Sequence, residues 1–106
     1  MSNDGEFIVV ARYQVKVGQG DQVARLLGSH IAATRGEPGC LEFVALRSTA
    51  NPDAFVLYER YASRESFDAH LASPHFETIV RGSIWPLLDD RVVDFHQAVP
   101  AAPEPA

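Results

Sequence analysis

The strongest constraint on this chain is a pair of strand-like segments that are apolar on both faces. Ala54–Tyr61 (AFVLYERY) alternates Phe55, Leu57, Glu59 and Tyr61 against Val56, Tyr58 and Arg60, a period of two that reads as a β-strand. Residues 40–48 (CLEFVALRS) read the same way, with Leu41, Phe43, Ala45 and Arg47 on one face and Val44 and Leu46 on the other. The link between them, residues 49–53, puts Asn before Pro and then Asp, which is turn chemistry. So short a link pairs the two strands as an antiparallel hairpin. One face can pack on helices of the same chain. The second face also needs a cover, because an apolar patch of that size marks an interface. An identical sheet brought in by two-fold pairing is the economical cover.

The remaining segments complete an α+β pattern. Residues 7–17 (FIVVARYQVKV) read as a strand, and Gly18 and Gly20 then make a turn with Asp21 at a helix start. Val23, Leu26, Leu27, His30, Ile31 and Thr34 recur at helical spacing. That helix should stop near Arg35 and Gly36, ahead of Pro38 and Gly39. Ser63 is a good N-cap for a second helix carrying Phe67, His70 and Leu71. Ser73-Pro74 restarts a helix with Phe76, Ile79, Val80 and Ile84, which Trp85-Pro86 ends. Residues 91–96 (RVVDFH) make a short last strand. The order β-α-β-β-α(α)-β is the ferredoxin-like split motif with a four-stranded antiparallel sheet. Residues 1–98 form the domain, and residues 99–106, rich in Ala and Pro, form a frayed tail.

At 106 residues there is room for one domain, and a second subunit completing so small a core is no surprise. Nine basic against fourteen acidic residues give a formal charge of -5, and no basic stripe is visible, which argues against nucleic acid. No apolar run approaches the roughly 20 residues that span a bilayer. The polar, acidic residues 1–6 are unlike a secretory signal, so a cytoplasmic location is expected. The single cysteine, Cys40, excludes an intrachain disulfide and offers no metal-ligand spacing. With neither His nor Asp adjoining it, Cys40 reads as a small buried residue rather than a nucleophile.

Two stretches carry a resemblance. Thr34-Arg-Gly-Glu-Pro-Gly-Cys-Leu41 contains E-x-G-C, and residues 57–76 contain Y-E-x-Y, then A-H, then S-P-H-F. Together with the lead-in strand and its glycine turn, they resemble the antibiotic biosynthesis monooxygenase domain family over about residues 7–95. The resemblance implies a dimeric α/β barrel with a pocket in each subunit between sheet and helices. Some members oxygenate quinols or phenolic polyketides with molecular oxygen and no metal, flavin or haem. Others isomerise a phosphorylated signalling sugar, and a distant branch degrades haem with an Asn on the first strand and a Trp and a His on the helices. This chain has no Asn in residues 7–17, and Trp85 falls past the expected pocket helix, so haem degradation is disfavoured.

His70, Glu59 and His75 are the expected catalytic residues. His70 flanks its helix's apolar stripe and can reach the space between helix and sheet. His75 opens the next helix, where the positive dipole end lowers an imidazole pKa. A neutral imidazole near pH 7 is a usable base for a phenol or an enolisable ketone, although both rings can equally be structural. Glu59 shares an apolar strand face, so its carboxylate needs a partner, which His70 or an arginine could supply. Tyr13, Tyr61, Phe43 and Arg35 are the expected substrate contacts, with core and surface roles as the bland alternatives.

Three functions remain open. The first is a cofactor-independent monooxygenase acting on a quinol or phenolic aromatic, with oxygen as co-substrate. The second is an isomerase of a small phosphorylated ketone, for which no phosphate cradle is evident beyond helix N-termini. The third is a non-enzymatic binding module for small apolar aromatics. All are written in a dry pocket rather than in a metal or nucleotide motif.

Overall fold

A computed structural model describes residues 5–105; Met1 to Asp4 and Ala106 of the expected N-terminal and tail segments lie outside them. Four strands, β1 (Phe7–Val15), β2 (Cys40–Arg47), β3 (Ala54–Tyr61) and β4 (Leu88–His96), form one antiparallel sheet in the order β2-β3-β1-β4. Helix α1 (Gly20–Thr34) joins β1 to β2, and α2 (Arg64–Leu71) follows β3. This is the expected ferredoxin-like α+β fold.

Alternation decides which residues reach the core. On β3 every second residue, Phe55, Leu57, Glu59 and Tyr61, is buried, and Val9, Ala11 and Tyr13 of β1 lie beside Glu59, Leu57 and Phe55 in register. Val23, Leu27, His30 and Thr34 form the buried stripe of α1. On β2 the expected face is broken by a bulge between Cys40 and Glu42. The extra residue turns Leu41 outward while Cys40 pairs with Tyr61 and Phe43 with Glu59. Strict alternation fails there because a bulge shifts the count by one.

The ends differ from expectation in two places. Strand β1 stops at Val15, leaving Val17 exposed beyond it. Strand β4 begins at Leu88 rather than Arg91, because Leu88 pairs with Val15 and Asp90 with Gln14 on either side of a bulge at Asp89, which holds this exposed polar stretch to β1 without burial.

The helix expected after Ser73 begins at Pro74 and runs as a π-helix over Phe76–Ile84, followed by a short 3-10 turn, Trp85–Leu87. The Trp85 amide donates to the carbonyl of Val80, five residues back, the wide-turn pattern that often marks functional segments. Ser63 caps α2 as expected, its hydroxyl accepting from the Ser66 amide at 3.1 Å. Ser73 joins the two helices: its hydroxyl donates to the His70 carbonyl at 2.7 Å and accepts from the Phe76 amide at 3.2 Å.

The turn from α1 to β2 is fixed from both sides. The Glu37 amide donates to the Thr34 carbonyl at 2.9 Å, and the Ala62 amide donates to the Gly39 carbonyl at 2.8 Å. A Cβ on Gly39 would overlap the Ser66 side chain, so this close approach admits only glycine. Gly39→Ala is expected to cost about 1–3 kcal/mol of stability. Gly28→Ala, in mid-α1 with open space around it, should add about 0.5–1 kcal/mol. Melting curves check both; equal midpoints for the two variants would contradict this reading.

Candidate active site

The short α1–β2 turn carries Glu37 to a point where two helices converge. Its Oε2 accepts from Nδ1 of His70 on α2 at 2.9 Å and from Nε2 of His75 at 2.6 Å. His70 is almost wholly buried, whereas His75 and Glu37 keep roughly a fifth of their side-chain surface exposed. Burial lowers the His70 pKa, and the hydrogen bond to the Glu37 carboxylate opposes that shift. A neutral ring that donates from Nδ1 has its lone pair on Nε2. That is the chemistry of a base oriented by a carboxylate.

A third imidazole completes the cluster. His30 of α1 lies with its ring centroid 5.2 Å from His70 and 5.5 Å from His75. Burial, then the two neighbouring histidines, pushes its pKa down to about 3, so the ring is neutral. Its Nε2 faces the Thr34 hydroxyl at 3.4 Å, and its Nδ1 has no hydrogen-bond partner among the described residues.

His70 also lines a cavity of about 260 Å³ between the sheet and the helices. Val9, Ala11 and Tyr13 of β1 form its floor with Glu59 of β3, and Val93 and Phe95 of β4 extend it. Phe67, Leu71 and Phe76 close it from the helix side. At one end Trp85 meets two arginines: Arg91 lies 3.5 Å and Arg81 5.3 Å from the indole centroid. The lining is apolar and aromatic with a few polar groups, which is the usual make-up of a small-molecule pocket.

Glu59 does not pair with His70 or an arginine. Its Oε1 accepts from the Tyr61 hydroxyl at 2.6 Å, two residues along the same strand face, so a neutral donor solves the desolvation problem locally. Burial, partly offset by that hydrogen bond, raises Glu59 to about 7. Tyr61 is raised further by burial and by the Glu59 charge. Burial, then Glu59, pushes the Tyr13 phenol up to about 12, with Trp85 and Arg91 pulling the other way.

The structure therefore brings His70, His75, Glu59 and Tyr13 to one region, with Tyr61 behind Glu59. Phe43 is fully buried against His30, with ring centroids 5.5 Å apart, and lies outside the cavity lining. Arg35 donates to the Phe43 carbonyl at 3.1 Å, away from the cavity. Trp85, expected to fall past the pocket, lines it because the π-helix and the 3-10 turn carry the chain back over the sheet. Glu37 stands in the E-x-G-C segment that carried the resemblance, but a turn glutamate gives no sign of which side chains it will meet. His30 looked like one more stripe residue of a helix.

A family model described as antibiotic biosynthesis monooxygenase matches residues 6–82. The chain belongs to this family. A Mycobacterium tuberculosis protein named as a candidate monooxygenase, Rv0793, is 37% identical over 68 residues, 64% of this chain and 66% of that relative. An uncharacterized protein of Synechocystis is 25% identical over 76% of this chain and 54% of its own length. The chain thus spans about two thirds and about half the length of these curated relatives. A crystal structure of an antibiotic biosynthesis monooxygenase superposes with a TM-score of 0.83 at 30% identity, covering 89% of this chain and 99% of that one. SnoaB of Streptomyces nogalater, described as a cofactor-independent oxygenase, shares the fold at a TM-score of 0.81 and 20% identity, over 94% of this chain and 99% of its own.

The buried carboxyl has a measurable signature. Between its ordinary value of 4.5 and about 7, Glu59 holds a proton in the folded chain that the unfolded chain has released. Its contribution to stability is therefore full below that window and falls by about 3 kcal/mol as pH rises through it. His30 and His70, both lowered, act with the opposite sign below 6.5, so the difference between wild type and Glu59→Gln isolates the carboxyl. Denaturation of both from pH 4 to 8 should show that difference growing toward high pH in favour of the variant. A difference independent of pH would contradict it.

Proposed function

We propose that this chain is a monooxygenase of an electron-rich phenolic or quinol, using molecular oxygen without a cofactor, with His70 as the base. The observation that carries this reading is a neutral, buried imidazole held by Glu37 at 2.9 Å on the wall of an apolar cavity. The family membership and the description of SnoaB as a cofactor-independent oxygenase support it.

Proton removal by His70 gives a phenolate or enolate, the form that gives up an electron to oxygen. The dry lining keeps competing water away from that anion and from the radical pair that follows. Arg81, Arg91 and the Tyr13 phenol supply positive or donor groups for the developing negative oxygen. The balance closes on substrate and oxygen alone. A ring C–H of a quinol becomes C–OH, the quinol becomes the quinone, and the second oxygen atom leaves as water.

Oxygen consumption with hydroquinone and anthrone-type substrates tests the reading. His70→Ala should lower kcat by about 10²–10⁴-fold, and Glu37→Gln by a smaller factor. Turnover that continues undiminished without oxygen, or full activity in His70→Ala, would overturn it.

The same reading includes a homodimer through the outer sheet face. Leu46 and Val92 are exposed there at 55% and 42%, with Val10, Val44, Val56 and Tyr58 half-buried around them. An apolar strip of this kind on a four-stranded sheet suits a second copy. Scattering at micromolar concentration should give twice the chain mass, and Leu46→Asp with Val92→Asp should halve it. A wild-type mass of one chain would contradict the dimer.

A further inference from the structure

We propose that Glu37, His70 and His75 form a binding site for a divalent transition-metal ion, of the zinc class, on the outer side of the cavity wall. One carboxylate oxygen and two imidazole nitrogens, each from a different segment, lie within 4.8 Å of one another. Nδ1 of His70 and Nε2 of His75 both point at the same Oε2, at 2.9 Å and 2.6 Å. A ring nitrogen's N–H and its lone pair lie along one direction, so two rings that bond one oxygen aim their lone pairs into one small volume. Convergence of that kind is what chelation requires.

The donor set decides the class of ion. Two imidazoles and one carboxylate suit zinc and its first-row neighbours, whereas magnesium and calcium prefer oxygen throughout. Ligands about 2.0–2.1 Å from a tetrahedral ion stand roughly 3.3 Å apart, so the two short contacts must open by under about 1 Å. Glu37 and His75 can yield that distance, being partly exposed and borne on a turn and a helix start. The same exposure gives the ion and a water as fourth ligand a way in. Among the described residues no lysine or arginine bonds to Glu37, so no fixed cation competes for its carboxylate. The third imidazole, His30, packs beside both ligand rings with an unpartnered Nδ1, which keeps the neighbourhood uncharged and rich in nitrogen.

Metal binding would move the His70 proton from Nδ1 to Nε2. If His70 is the base proposed above, the ion exchanges a proton acceptor for a donor and inhibits turnover. The binding claim itself does not rest on that reading.

The full chain, stripped with chelator, is titrated with zinc chloride by calorimetry, and its metal content is measured after desalting. One ion per chain is expected, with magnesium giving no heat. His75→Ala and Glu37→Gln should each weaken zinc binding by at least about 100-fold, and His96→Ala, on the far strand, should leave it unchanged. Circular dichroism verifies the fold of each variant. Cobalt bound to the wild type gives a second readout independent of the variants: tetrahedral d–d bands without thiolate charge transfer from Cys40 are expected. Absence of zinc binding, binding that persists in His75→Ala and Glu37→Gln, or a cobalt–thiolate band would overturn the proposal.

Discussion

Oε2 of Glu37 accepts from two imidazoles that reach it from 33 and 38 residues further along the chain. That oxygen ties the α1–β2 turn to α2 and to the start of the π-helix, three segments with little backbone pairing to one another. Each hydrogen bond to a carboxylate contributes about 1.5–3 kcal/mol where water is partly excluded. The more consequential effect is orientation. With Nδ1 committed, the His70 ring cannot turn over, and the nitrogen left with a lone pair is fixed. The supports behind this arrangement are equally local: Gly39 lets the turn lie against Ser66, and Ser73 links the end of α2 to the next helix.

The sheet meets two different demands. Its inner face pairs Val9, Ala11 and Tyr13 with apolar neighbours and admits one carboxyl, Glu59, which Tyr61 keeps hydrogen-bonded. Burial holds that carboxyl near neutrality, so the cavity floor is less charged than its sequence suggests. Positive charge comes instead from Arg81 and Arg91 around Trp85 at the cavity's end. A pocket with an oriented imidazole, a nearly neutral floor and cations at one end suits an aromatic that becomes anionic.

Much of the architecture was legible because local patterns determine it. The alternation of Phe55, Leu57, Glu59 and Tyr61, the Ser63 cap and the glycine turn at Gly18 each have a short-range cause, and the β-α-β-β-α-β order followed from them. Leu41 was misplaced because a bulge leaves no periodic trace. Trp85 was misplaced because a π-helix turns more slowly than the α-helix its spacing suggests. At the site, His70 and His75 were legible as imidazoles near a groove, but the carboxylate that orients them was not. Glu59 stood on an apolar face and drew attention, whereas Glu37 sat in a turn, where glutamate is ordinarily solvated. Long-range pairing of this kind is a property of the topology, and only the folded chain displays it.

The central claim is the fixed tautomer of His70, and imidazole ¹⁵N spectra of the chelator-treated protein near pH 7 test it most directly. The account expects His70 protonated on Nδ1 and His75 on Nε2, with the His70 preference lost in Glu37→Ala. A His70 ring protonated on Nε2, or one whose tautomer is indifferent to Glu37, would contradict it.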